Sequence, residues 1–127
     1  MGQAGSSSPG ERFVRAVAAK DLDELKQVLD PAIDFRGLTP SRAWEAGSPD
    51  EVAEIVFGSW FEPQDHVLET LAAEDDGVGD RHRLRYRFRV ESDGDPYLVE
   101  QQGYYDTDGE RITRMSIVCS GYRDWPA

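Results

Sequence analysis

His82 is the side chain in this sequence best suited to moving a proton near neutral pH, and it is one of only two histidines. It stands in the run Arg81-His82-Arg83-Leu84-Arg85-Tyr86-Arg87-Phe88-Arg89-Val90, where arginine fills every odd position. Successive side chains of a strand point to opposite faces, so this stretch reads as a long strand with one cationic face. His82, Leu84, Tyr86, Phe88 and Val90 then share the apolar face. A helix would spread the arginines around its whole circumference. On such a face an imidazole can serve as general acid or base, or simply as hydrogen-bonded packing, and both readings stand at this level.

Gln101 is the second polar side chain placed by alternation. Tyr97, Val99, Gln101, Gly103 and Tyr105 share one parity of the next strand. An amide turned toward an apolar interior must find a partner, either a ligand carbonyl or hydroxyl or a local backbone group. Cys119 shares a face with Met115 and Ile117. With no activating neighbour in sight it reads as a small buried hydrophobe rather than a nucleophile. His66 begins the strand before His82. Two histidines without a placed carboxylate do not make a metal site, so no metal and no cofactor are expected.

These residues need elements to hold them. Residues 1–8, rich in Gly and Ser, read as a flexible leader, and 9–125 as one domain. Ser8-Pro9 with Glu11 predicts a helix start, followed by Phe13, Val14, Val17 and Ala18 at helical spacing. Asp21 caps a second short helix bearing Leu22, Leu25, Val28 and Leu29, and Pro31 ends it. A short strand at residues 33–36 and a loop from Gly37 to Gly47 follow. Ser48-Pro49-Asp50-Glu51 opens a third helix carrying Val52, Ile55, Val56 and Trp60. Four strands are then expected at 66–74, 81–92, 96–106 and 111–120, turning at Asp76-Gly77, Asp93-Gly94 and Asp108-Gly109. Helices first and an antiparallel meander afterwards make an α+β domain.

The charge limits partners. There are 25 acidic against 14 basic residues, a formal net charge of −11, and that field repels a phosphate backbone, so no nucleic acid is expected. One cysteine cannot form an intramolecular disulfide. No apolar run approaches the length that spans a bilayer and the N-terminus lacks a signal-peptide pattern, so a cytoplasmic protein without membrane contact is expected. On the arginine face, Glu100 and Glu69 are the expected cross-strand partners.

The order of these pieces resembles the nuclear transport factor 2-like superfamily, with its ketosteroid isomerases, limonene epoxide hydrolases and SnoaL-like polyketide cyclases. The likeness spans roughly Glu11 to Tyr122. It is carried by Phe13-Val14-Arg15-Ala16, Lys20-Asp21-Leu22-Asp23-Glu24-Leu25, Leu29-Asp30-Pro31-Ala32-Ile33-Asp34-Phe35 and Asp108-Gly109-Glu110-Arg111-Ile112-Thr113-Arg114-Met115. The resemblance implies a cone: N-terminal helices around a highly curved antiparallel sheet, with an apolar pocket inside. It implies that Phe13, Phe35, Trp60, Tyr86, Gln101, Met115 and Cys119 line that pocket. The pocket would take a small apolar molecule, and a homodimer would form through the outer sheet face.

Carried over residue by residue, the isomerase pattern fails. Phe35 stands at the general-base position, with Asp34 pointing away; Phe13 stands at the oxyanion tyrosine and Gln101 at about the second oxyanion acid. Steroid isomerisation by that route is therefore not expected. What the resemblance leaves is acid–base isomerase, cyclase or dehydratase chemistry with His82 as proton carrier. The alternative is a noncatalytic dimeric accessory or ligand-sensing module.

Overall fold

A computed structural model describes residues 7–126. Helix α1 (Pro9–Ala19) is followed by α2 (Leu22–Val28), strands β1 (Leu29–Thr39) and β2 (Arg42–Ala46), and α3 (Pro49–Ile55). A π-helical turn, Val56–Trp60, continues α3, and strands β3 (Asp65–Val78), β4 (Arg81–Ser92), β5 (Asp95–Thr107), β6 (Ile112–Cys119) and β7 (Arg123–Asp124) complete the chain. The fold is α+β, as the sequence predicts.

The helix starts form where the capping residues put them. The Ser8 hydroxyl accepts from the Glu11 amide at 3.0 Å while Glu11 Oε1 accepts from the Ser8 amide at 3.0 Å, a reciprocal cap that satisfies two otherwise orphaned donors. Asp21 and Ser48 accept from the Glu24 and Glu51 amides in the same way. Of the expected leader, residues 1–6 lie outside the described residues. Ser8 itself is part of the cap, and its hydroxyl also donates to Asp75 on β3.

The sheet runs β2-β1-β6-β5-β4-β3, with β7 paired to β5. It is mixed rather than purely antiparallel, because β1 pairs with β6 in parallel. Parallel pairing needs a long connection, and everything from β2 to β5 supplies it. The stretch 37–47, expected to be a loop, is the hairpin of β1 and β2, with Gly37 opposite Trp44. Pro40 sits in its turn, where the lost amide donor costs nothing. The Asp76-Gly77 turn is also corrected: β3 continues through both residues and the reversal comes at Gly79, φ 61°. The acidic residues there serve the arginine strand instead. Asp93-Gly94 does turn the chain, with φ 52° and 87°, the pair of positive values a tight hairpin needs.

The alternation in β4 holds. Leu84, Tyr86, Phe88 and Val90 are buried, and the arginines face out. Register sets Glu100 opposite Arg87 and Glu69 opposite Arg89. The close ion pairs nevertheless join Arg81 to Asp106, Arg83 to Asp76 and Arg85 to Glu74, each at 2.9 Å. Arg89 lies over the Trp125 ring. No helix among the described residues is long and apolar enough to cross a membrane.

Candidate functional site

Rows of side chains cross the inner sheet face, and the register names their members. One row is Phe35, Met115, Tyr105 and His82; the next is Gly37, Ile117, Gly103, Leu84 and Asp75; a third is Cys119, Gln101 and Tyr86. The helices lie over these rows. Phe13 of α1 meets Tyr86 with ring centroids 6.5 Å apart, and Trp60 of the π-helical turn meets Phe35 at 5.8 Å. The π turn closes where the Phe61 amide donates to the Val56 carbonyl at 2.7 Å, and it seats Trp60 against Gly37. A Cβ at position 37 would stand 2.6 Å from that indole, so a side chain there would displace it.

Phe13, Phe35, Trp60, Tyr86, Gln101, Met115 and Cys119 are all buried. All but Gln101 belong to one contiguous hydrophobic core, and Gln101 lies in a cross-strand row with Tyr86 and Cys119 of that core. Among the described residues, two polar atoms there have no hydrogen-bond partner. Gln101 is 1 % exposed; its Oε1 accepts a short hydrogen bond from the Tyr86 hydroxyl, and its Nε2 has no partner. Turning the amide over would exchange which atom is orphaned without removing the orphan. Trp60 Nε1 is the second unpartnered donor. Burial pushes the Tyr86 phenol well above its ordinary range, with the neighbouring Cys119 adding to the effect. Tyr86 therefore stays a donor. Cys119 Sγ accepts from the Gly121 amide at 3.4 Å and has no base beside it in the cross-strand row, in keeping with a packing role.

His82 lies elsewhere. Its side chain is 37 % exposed, its ring stacks on Tyr105 at 4.8 Å, and Nδ1 is 3.7 Å from Asp75 Oδ1. Three residues of β4 lie between it and Tyr86, an offset of about 13 Å between the two Cα atoms at strand rise. His82 and Gln101 therefore stand two rows apart on the inner sheet face. His66 is exposed at the other end of the β3–β4 ladder, opposite Glu91.

Alternation alone did not reveal Asp75. Its side chain is 6 % exposed; Oδ2 accepts from Ser8 Oγ at 2.5 Å and from the Tyr105 hydroxyl at 2.6 Å, while Oδ1 has no hydrogen-bond partner. The Tyr105 oxygen also accepts from the Gly10 amide at 3.1 Å. Burial first, then the hydrogen bond to Asp75 and its charge, raise the Tyr105 phenol above its ordinary value. The signal was present in Glu74-Asp75-Asp76: Glu74 and Asp76 share the parity that matches Arg85 and Arg83, which leaves Asp75 facing in. Among the described residues no three His, Cys, Asp or Glu side chains gather as a metal site.

The model of the SnoaL-like domain matches residues 11–115, most of the chain. The chain belongs to the SnoaL-like domain family. Solved structures share the fold of this SnoaL-like protein. A provisionally named isomerase from Bacillus subtilis superposes with a TM-score of 0.69 at 14% identity, over 88% of this chain and 84% of the other. One from Rhodopseudomonas palustris gives 0.67 at 18% identity, over 91% and 92%. An M. tuberculosis LEH-like epoxide hydrolase gives 0.64 at 12% identity, over 88% and 80%. At such identities the likeness speaks for the fold alone. No curated protein matches the chain.

Proposed function

We propose that this SnoaL-like domain takes up a small, mainly apolar molecule between its helices and the inner sheet face. Gln101 gives a hydrogen bond to a carbonyl or hydroxyl oxygen of that molecule, and Tyr86 holds the amide in place. The observation that carries the reading is the unmatched Gln101 Nε2 in an otherwise apolar interior. A buried donor left unpaired costs about 1–3 kcal/mol, which a ligand oxygen would return. Phe13, Phe35, Trp60, Met115 and Cys119 supply the walls, with Trp60 Nε1 as a second donor. Because these side chains are almost inaccessible to solvent, uptake requires the helical layer to part from the sheet.

Relatives of this fold are named as isomerases and as an epoxide hydrolase. In this chain the residue for acid–base chemistry is His82, at the rim. His82 and Gln101 stand two rows apart on the inner sheet face, so a substrate engaging both would reach across those rows, as a fused-ring or long-chain molecule can. The burial of all these side chains, none more than 7 % exposed, also favours a second reading, a noncatalytic ligand-sensing or accessory module using the same Gln101 contact without turnover.

The outer sheet face supports a homodimer. Leu38, Tyr104 and Val118 are 50 %, 41 % and 57 % exposed. With Ala43 they line a groove of about 710 Å³, flanked by Arg36, Glu45 and Glu100. An exposed apolar patch with a polar rim is the usual form of a protein interface.

The test is a thermal-shift screen of the protein and its Gln101→Leu variant against steroids, terpenoid epoxides, polyketide aromatics and fatty acids. A saturable rise in Tm with one class, weakened tenfold or more by the substitution, is expected. Silence from every class would remove the ligand reading.

A further inference from the structure

The arrangement at the head of α1 divides one carboxylate between two tasks. Asp75 Oδ2 receives Ser8 and Tyr105 and so ties α1 to the sheet. Among the described residues Asp75 Oδ1 receives no hydrogen bond, although its side chain is 6 % exposed. The nearest basic atom is His82 Nδ1, at 3.7 Å. A buried carboxylate oxygen seeks a donor, and a small rotation of the imidazole brings Nδ1–H into reach. Contacts of this kind are commonly long in an empty site and tighten on occupancy.

Tyr105 limits what else the imidazole can do. The two rings are stacked within 14° of parallel, an arrangement that an in-plane turn of the imidazole toward Asp75 preserves. The other ring nitrogen, Nε2, belongs to a side chain 37 % exposed, open enough for a small molecule to approach.

We propose that Asp75 is the positioning residue of His82: it holds the imidazole proton on Nδ1 and leaves Nε2 bare as a base at the head of α1. This rests on the reading of His82 as proton carrier and names the partner that reading lacked. The substrate class is a molecule with a C–H beside a carbonyl, or an acidic O–H. His82 Nε2 takes that proton, the C–H or O–H electron pair stays with the substrate as an enolate or oxyanion, and Asp75 balances the imidazolium. Return of the same proton at another atom completes an isomerisation, with no oxidant or reductant required.

The imidazole tautomer tests this without any ligand, so its failure is distinct from failure of the ligand screen. Nitrogen-15 NMR is recorded at pH 8.5, above the ordinary imidazole range, on the full chain with His66 as the internal reference. His82 is expected mainly as the Nδ1–H form. Asp75→Asn should reverse it to Nε2–H, because an amide NH2 now faces Nδ1. Ser8→Ala, which removes a donor only from Oδ2, should leave it unchanged. If Asp75→Asn does not fold, the wild-type tautomer and Ser8→Ala still decide. A wild-type His82 in the Nε2–H form, or an Nδ1–H form that survives Asp75→Asn, overturns the proposal.

Discussion

Tyr86 and Gln101 stand directly opposite each other across the β4–β5 ladder, and the tyrosine hydroxyl donates to the glutamine oxygen in the middle of an apolar interior. Among the described residues each is the other's only side-chain hydrogen-bond partner, and one amide donor is left over. That relation makes the pair separable from ordinary packing. An apolar core gains nothing from a half-satisfied polar pair, so its members should respond to substitution jointly rather than independently.

Tyr86→Phe alone should destabilise the protein by about 1–3 kcal/mol, because it leaves the Gln101 amide wholly unpaired in the core. Gln101→Leu alone should cost a similar amount by stranding the Tyr86 hydroxyl. The double variant should recover most of the loss, since no buried polar group then remains. Urea unfolding of the four proteins measures the coupling. Additive losses would mean that the two side chains do not act as a pair.

Gly10 is where α1 approaches Asp75 and Tyr105. A Cβ at this position would lie 2.6 Å from Asp75 Oδ2 and 2.8 Å from the Tyr105 hydroxyl. Gly10→Ala, though favourable for an isolated helix, should therefore destabilise by about 1–3 kcal/mol through overpacking. Amide exchange should accelerate first in α1 and the 75–77 stretch of β3. A neutral or stabilising result, with exchange unaltered, would show that α1 can shift without loss.

The caps of all three helices, the inward parity of β4 and the α+β order were legible because each depends on neighbours in sequence. Ser8 with Glu11, and five arginines at every second position, are local signals. The parallel pairing of β1 with β6 was not legible, since Phe35 meets Met115 only after most of the chain intervenes. The β1–β2 hairpin was read as a loop because Gly37 and Pro40 weaken strand preference, while cross-strand pairing and Trp60 packing overrule it. At the site, parity brought Tyr86 and Gln101 inside correctly. It could not show that His82 lies two rows away, nor that Asp75, hidden in an acidic run taken for a turn, is its neighbour.

Two buried phenols, Tyr86 and Tyr105, and the half-buried Tyr122 make the protein sensitive to alkali. Burial is the leading cause raising Tyr86, Tyr105 and Tyr122 above their ordinary value; Asp75 reinforces it at Tyr105 and Asp65 at Tyr122. A raised folded value means that the folded state keeps a proton the unfolded chain surrenders above about pH 10. Stability from these groups is thus fully present below that pH and is lost as pH rises through the folded values. Urea midpoints should hold steady from pH 7 to 9 and fall beyond 10, less steeply in Tyr105→Phe. An identical alkaline slope in that variant would argue that Tyr105 ionises as freely folded as unfolded.

The outer sheet face offers the last prediction. Leu38 on β1 and Val118 on β6 are cross-strand partners, both at least half exposed, and Tyr104 lies one strand further along. A net charge of −11 disfavours contact over most of the surface, so the proposed homodimer would form through this apolar strip. A charge buried in such an interface is costly unless paired. Val118→Asp should therefore convert a dimer to a monomer while leaving the helical signal intact, because the side chain is solvent-exposed in the single chain. Sedimentation at several concentrations distinguishes the outcomes. A wild type that remains monomeric at the highest concentration, or a dimer unmoved by Val118→Asp, would place the partner of this face elsewhere.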